Sequence, residues 1–298
     1  MTRFRLMHID PMRVLLMAAI AILMLPQASR AATAATPVAM VSELTGKGAL
    51  IAGSARAPLV MLAELAPGTQ VELDAGARMV ALYLDGSGEY LVGGPALVEF
   101  GAQQPRTIKG AAAQKRSVLG GKAGANVRLK PLGAVQGALV MRSAGPRGRI
   151  RLTNPSGTRT LEASPEFRWQ FEPAGLTYRF ELVDDTGNTL HESDITTTSL
   201  QLPASVRLKE NVPYTWMVSA RLPDGRKYSS TSDFSIASAD VRQQVSALRP
   251  AGNAPVSDRV AYGAWLEQLE LRDEARNVWR GLAAERPDDA RLQAMARE

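Results

Sequence analysis

Apolar residues alternate with a period of two through the second half of the chain, and this spacing restricts that region to β-strands. Phe167, Trp169 and Phe171 are each two positions apart, and the same pattern recurs at residues 178–182 and 214–220. Because successive side chains of a strand point to opposite faces, each set lies on one face of its strand. Facing apolar sets are typical of a β-sandwich core.

The region carrying these strands, residues 152–238, resembles a fibronectin type III-like β-sandwich. The resemblance lies in Pro165-x-Phe167-x-Trp169 near its start and Tyr214-x-Trp216 in a late strand. A length of roughly 85 residues also suits that fold. The resemblance implies two packed antiparallel sheets.

A second β module is predicted over residues 32–100, where turn residues separate short apolar runs. Turn signals stand at 67–68, 74–76, 85–88 and 93–95, and strand-length runs at 79–84, 89–92 and 96–100. The stretch LAPGTQVELDAGARMVALYLDGSGEYLVGGPALVEF resembles the FecR-like domain, which occurs in the periplasmic part of iron-dicitrate regulators and in many exported proteins. The resemblance implies a β-sandwich or roll. Only thirteen residues precede Val14, so transmembrane signalling of the regulator type is not expected.

The N-terminus has the pattern of an export signal. Arg3, Arg5 and Arg13 precede twelve uncharged apolar residues at 14–25, which as a helix would span only about 18 Å. The hydrocarbon core of a bilayer is roughly 30 Å thick, so this run is a poor permanent span. Residues 29–31 (Ser-Arg-Ala) form a cleavage site, with cleavage after Ala28 or Ala34 and an uncleaved anchor as alternatives. We therefore expect a signal peptide at 1–31 and a periplasmic mature chain without a transmembrane span.

Residues 101–151 are predicted to be a basic, Gly-rich connector with a strand at 138–142. Residues 101–160 contain twelve Lys and Arg and no Asp or Glu, whereas the whole chain has 35 cations and 29 anions. Such an imbalance predicts an anion-binding or partner-binding surface, with a merely solvated linker as the alternative. The candidate residues of this surface are Arg106, Lys109, Lys115, Arg116, Lys122, Arg128 and Lys130.

The hydrophobic period changes to that of a helix in residues 239–298, which we interpret as a linker and a small α-helical hairpin. Gly263, Leu266, Ala275, Trp279 and Pro287 stand at offsets that resemble a tetratricopeptide repeat. About three such repeats are needed to bury a continuous core, so a single one is not expected to form a groove.

Two roles remain open for this hairpin. It either packs on a sandwich as a structural cap, which we favour, or presents an apolar face to a partner. Trp265 and Trp279 are the candidate partner-facing residues.

The composition argues against an enzyme. The chain has no Cys and only two His, which excludes thiolate chemistry and makes histidine-based catalysis improbable. No nucleotide-binding loop, paired catalytic carboxylates or cofactor motif is evident.

We expect a mainly β, non-catalytic binding or scaffold protein of the bacterial cell envelope. Its expected partner is an envelope protein or an anionic envelope component and not nucleic acid. A periplasmic sensor accessory of the FecR type is the alternative, and a cell-wall-acting enzyme is less favoured.

Overall fold

The computed structural model describes residues 35–121, 127–132, 150–172 and 174–297. The predicted signal peptide, Lys122 and the strand predicted at 138–142 lie outside the described residues. The fold is mainly β, with several antiparallel sheets and a C-terminal helical region. The contacts given below all lie within one compact unit that begins at Thr36.

Two five-stranded antiparallel sheets pack face to face to form what we call the first sandwich. The first sheet contains β1 (Ala39–Thr45), β4 (Glu64–Leu65), β6 (Arg78–Tyr83), β7 (Glu89–Gly93) and β10 (Gln114–Arg116), in the order β10-β7-β6-β1-β4. The second sheet contains β2 (Gly48–Ala52), β3 (Ala55–Pro58), β5 (Gln70–Leu73), β8 (Ala96–Phe100) and β9 (Pro105–Lys109), in the order β3-β2-β5-β8-β9. Val41 and Met79 of the first sheet share one buried apolar cluster with Val71 and Val98 of the second.

The first sandwich extends beyond the boundary predicted at Phe100. Within the stretch interpreted as a connector, β9 pairs with β8 and β10 pairs with β7, so each is an edge strand of one sheet. Charged residues are common on exposed edge strands, where they discourage pairing with other chains. The basic composition at residues 105–116 therefore belongs to strand edges of the sandwich, and the described part of the connector is correspondingly shorter.

The second sandwich contains a three-stranded and a five-stranded sheet. The smaller sheet contains β11 (Arg151–Asn154), β13 (Glu166–Gln170) and β16 (Ser199–Gln201), in the order β11-β13-β16. The larger sheet contains β12 (Thr158–Thr160), β14 (Tyr178–Val183), β15 (Thr189–Ile195), β17 (Pro213–Arg221) and β18 (Lys227–Ile236), in the order β12-β18-β17-β14-β15. Phe167 of the smaller sheet packs edge to face on Phe180 and Trp216 of the larger, with ring centroids 5.1 Å apart in both pairs. The period-two aromatic residues thus form its core.

Four helices follow, and we call them together the helical unit. They are α1 (Ala239–Leu248), α2 (Val256–Gln268), α3 (Arg272–Glu285) and α4 (Ala290–Arg297), and a 3-10 turn lies earlier in the chain at Val118–Gly121. The region of α1 was interpreted as linker, but the Ser238 hydroxyl caps it by accepting from the Val241 N–H. None of the helices in the described part of the chain is long and apolar enough to cross a membrane.

The helical unit covers the outer face of the first sheet. Met40 on β1 and Leu82 on β6 point away from the sandwich interior and belong to the same buried cluster as Val260 of α2. The Arg286 guanidinium also donates a 2.8 Å hydrogen bond to the Leu44 carbonyl of β1. Both faces of this sheet are therefore buried.

The helical unit also contacts the second sandwich. The backbone N–H of Arg159 on β12 donates to the Glu270 carbonyl at 2.8 Å. The buried Thr158 hydroxyl lies 3.1 Å from both the Glu270 carbonyl and the Arg272 N–H, from which it accepts. The α2–α3 turn is thereby joined to an edge strand of the second sandwich.

Candidate anion-binding site

Four of the predicted cationic residues flank a single turn, residues 84–88, which joins β6 to β7. Lys115 and Arg116 of β10 border one side of this turn, and Arg128 and Lys130 border the other. The second pair is held there because the Leu129 N–H donates to a carbonyl of the turn at 2.6 Å. We call this turn and its four cations the basic end of the first sandwich.

The turn itself is built by its glycines. Gly86 has a φ of +80°, which glycine adopts without steric cost, and its N–H donates to the Tyr83 carbonyl at 3.2 Å. At Gly88 a Cβ atom would lie 2.9 Å from Lys115 Cε. The glycine therefore lets the lysine side chain lie directly across the turn.

Two shallow depressions border the turn. One, of about 440 Å³, is lined by Ser87, Lys115 and Ser117, and the other, of about 290 Å³, is lined by Arg128 and Lys130 together with Leu84 and Asp85 of the turn. Hydroxyl and ammonium groups together suit phosphate or carboxylate oxygens. The two serines were not among the predicted site residues, because residues 85–88 indicated only a turn and Ser117 carries no charge within the basic stretch.

Three cations of the basic end are free to meet a ligand. Lys115, Arg128 and Lys130 are exposed, and none has an acidic partner within salt-bridge distance among the described residues. Arg116 is different, because its Nε lies 3.2 Å from the buried carboxylate of Glu89. The free positive charge at this end is therefore carried by three side chains.

The other predicted cations lie apart from this cluster or outside the described residues. Arg106 on β9 is paired with Glu99 at 3.1 Å, so its charge is already compensated. Lys109, at the end of the same strand, lies opposite Leu97 in the second sheet. Lys122 falls outside the described residues.

The structure buries both tryptophans that were candidates for a partner-facing surface, Trp265 and Trp279. Trp279 is fully buried and Trp265 is 7% exposed, and both belong to the apolar cluster of the helical unit. The Trp279 indole N–H donates to Glu267 at 3.1 Å. Neither ring is available on the surface, because the hairpin packs against a sheet and closes over them.

The helical unit instead presents a pocket of about 330 Å³ lined by other residues. Tyr262 and Leu266 of α2 and Glu274 and Val278 of α3 form its walls. The Tyr262 hydroxyl is not free, since it donates to the Val245 carbonyl at 3.0 Å. Burial raises the pKa of Glu274.

Two carboxylates of the second sandwich, Glu166 and Asp194, are each paired with an arginine. Glu166 forms a salt bridge with Arg168 on its own strand, and Asp194 with Arg179 on the neighbouring strand. In the described ranges no group of three or more His, Asp or Glu residues is placed to hold a metal ion.

Comparisons with known proteins find no family for this chain and a weak structural similarity. No protein-family model matches the chain, and no curated protein matches it in sequence. Among solved structures it is similar to PorZ, a surface component of the type-IX secretion system of Porphyromonas gingivalis, with 12% identity and a TM-score of 0.21 over 53% of this chain. The match covers 21% of the PorZ chain, so the matched half of this chain spans about a fifth of that protein.

Proposed function

We propose that this protein is a non-catalytic, exported binding or scaffold protein of the bacterial cell envelope, and that its basic end engages an anionic envelope component. The observation that carries the proposal is the convergence of Lys115, Arg128 and Lys130 on one turn, where none of them forms a salt bridge among the described residues and where the carboxylate of Asp85 offsets only one of their three charges. Each Lys or Arg beside an anionic membrane contributes about 1 kcal/mol, so three together give measurable binding.

Each of the three modules resembles a known fold family in its sequence. We propose that the first sandwich is a FecR-like domain, the second a fibronectin type III-like domain, and the α2–α3 hairpin a tetratricopeptide-like repeat. The turn-bounded strands β6, β7 and β8, the aromatic core of the second sandwich and the close packing of α2 on α3 support these assignments. The two sandwiches and the helical unit then serve as the scaffold that carries the basic end.

Co-sedimentation with vesicles tests the proposed function. The wild-type protein should pellet with phosphatidylglycerol vesicles and remain in solution with phosphatidylcholine vesicles. Binding should weaken from 0.01 to 0.15 M salt, because the Debye length falls from about 30 Å to about 8 Å. Equal recovery with both vesicle types would contradict the proposal.

A matched pair of variants separates the basic end from net charge. The variant K115Q/R128Q/K130Q should bind anionic vesicles at least about tenfold more weakly. The control R207Q/K209Q/K227Q removes the same charge from exposed positions of the second sandwich and should bind like the wild type. Equal losses in both variants would show that net charge, and not the basic end, determines binding.

A further inference from the structure

A carboxyl group is fully buried where the helical unit meets the first sandwich. Glu89 on β7 is 0% exposed and points to the outer face of its sheet, away from the sandwich core. The first turn of α2 supplies the facing residues Ser257 and Asp258, which are 0% and 8% exposed. Polar and acidic side chains thus stand inside an otherwise apolar contact.

The charges at this contact are unbalanced. Arg116 of β10 supplies the cation, with its Nε 3.2 Å from Glu89 Oε1. Asp258 of α2 and Glu43 of β1 add negative charge on the other sides of Glu89. With all three carboxyl groups ionised, three negative charges surround a single guanidinium.

Hydrogen bonding compensates these groups only in part. Both carboxyl oxygens of Glu89, Oδ1 of Asp258 and the Ser257 hydroxyl oxygen are buried and make no hydrogen bond of regular geometry, although the Ser257 hydroxyl lies near Glu89 and the Leu119 N–H near the Asp258 carboxylate. A buried charge that lacks hydrogen bonds is costly, whereas a protonated carboxyl group is neutral and can donate to a neighbouring oxygen. A proton at this position would remove one charge and supply one donor.

We infer that the helical unit docks on the first sandwich in a proton-dependent manner, with a proton held between Glu89 and Asp258 favouring the docked state. Loss of that proton leaves two buried carboxylates across the contact and weakens docking. The contact is therefore tight in acid, loosens as the pH rises towards neutrality and stays loose above it.

The direction of the titration agrees with the geometry. Burial raises the pKa of Glu89 from its ordinary value of 4.5 to about 7, with Asp258 and Glu43 adding to the rise and with Arg116 and the Ser257 hydroxyl opposing it. Burial also raises the pKa of Asp258. Because the docked state binds the proton more tightly, this stabilisation is complete below about pH 4.5 and is lost as the pH rises through 7.

Two strained leucines at the same contact are held by docking. Leu62 and Leu119 have φ values of +59° and +51°, a region that non-glycine residues seldom adopt, and both are buried in the cluster shared with α2. The Leu119 N–H also donates to the Asp258 carboxylate. Undocking would allow both leucines to leave this strained conformation. The contacts with the helical unit must therefore offset the strain, and losing one of them favours the undocked state.

The test uses spin labels on the full chain, which contains no cysteine of its own. Cysteines introduced at the exposed positions Thr45 and Asp288 place one label on the first sandwich and one on the helical unit. The distance between the labels gives the fraction of undocked molecules, which is measured as the urea concentration is increased at pH 5 and at pH 8. The docking equilibrium should weaken on the order of 50-fold between these pH values, seen as a lower urea midpoint at pH 8.

Substitutions assign the effect to the buried pair. Glu89→Gln should abolish most of the pH dependence, whereas the control Glu172→Gln, an exposed carboxylate of the second sandwich, should keep all of it. If Glu89→Gln does not fold, Asp258→Asn should still raise the midpoint at pH 8 above that of the wild type. The same midpoint at both pH values in the wild type, or full pH dependence in Glu89→Gln, would overturn the inference.

Discussion

The indole ring of Trp279 on α3 lies against the backbone of Gly263 on α2, where a Cβ atom would come within 2.9 Å of the ring. The ring is fully buried and its N–H is bonded to Glu267, so it has little room to move. This contact sets the separation of the two helices. Every residue of the helical unit that reaches the first sandwich depends on that packing.

Substituting Gly263 by alanine should therefore destabilise the protein. The added methyl group overlaps a ring that cannot shift, at a cost of about 1–3 kcal/mol that exceeds the gain of up to ~1 kcal/mol in helix propensity. Urea unfolding measures the difference. Gly281→Ala is the control, because its Cβ would meet nothing within 4 Å and the substitution should be neutral or stabilising.

Thr158→Val should weaken the contact between the second sandwich and the helical unit. Valine keeps the shape of the buried side chain but leaves the Arg272 N–H without its acceptor and removes one of the two hydrogen bonds to the Glu270 carbonyl. The free energy of unfolding should fall by about 1–3 kcal/mol. The exposed Thr231→Val on β18 should change it by less than ~0.5 kcal/mol; equal effects of the two substitutions would contradict the assigned role.

A chain that ends at Pro250 should lose stability, because it lacks the helices that cover Met40 and Leu82. Large apolar side chains contribute about 1.5–3 kcal/mol each when fully buried, so melting should shift down by roughly 10 °C or more. Thermal unfolding followed by circular dichroism measures the shift. Unchanged melting would mean that the helical unit does not stabilise the sandwich.

The strands of both sandwiches were largely predictable from the sequence. Phe167, Trp169, Phe180 and Trp216 stand at period-two positions, and all are buried in the second core. Strands predicted at 89–92 and 96–100 agree with β7 and β8 within one residue. The alternation of apolar and polar residues identifies these strands because one face of each strand packs on the opposing sheet.

The buried face outside the first sandwich was not predictable in the same way. Glu89 precedes Tyr90 on β7, and alternation places its side chain on the face opposite the core, which indicates exposure to solvent. The structure covers that face with α2. A signal was present in β6, whose uninterrupted apolar run from Met79 to Tyr83 is typical of a strand buried on both faces.

The composition of the basic end was evident from the sequence, but its geometry was not. Lys115 and Lys130 are fifteen positions apart, and only the hydrogen bond from Leu129 to the turn brings the second to the same place as the first. Arg106 and Arg116 belonged to the same charge block, yet each is paired with a glutamate from a neighbouring strand. Local charge density therefore indicated which cations were candidates and overestimated how many of them are unpaired.

Lysine footprinting with anionic vesicles tests the central proposal most directly, because it reports where the protein touches them. The protein is treated with an amine-modifying reagent with and without phosphatidylglycerol vesicles, and the modified peptides are quantified by mass spectrometry. Lys115 and Lys130 should be protected by the vesicles, while Lys209 and Lys227 on the second sandwich keep their reactivity. Unchanged reactivity of Lys115 and Lys130, or equal protection of all four lysines, would contradict a binding site at the basic end.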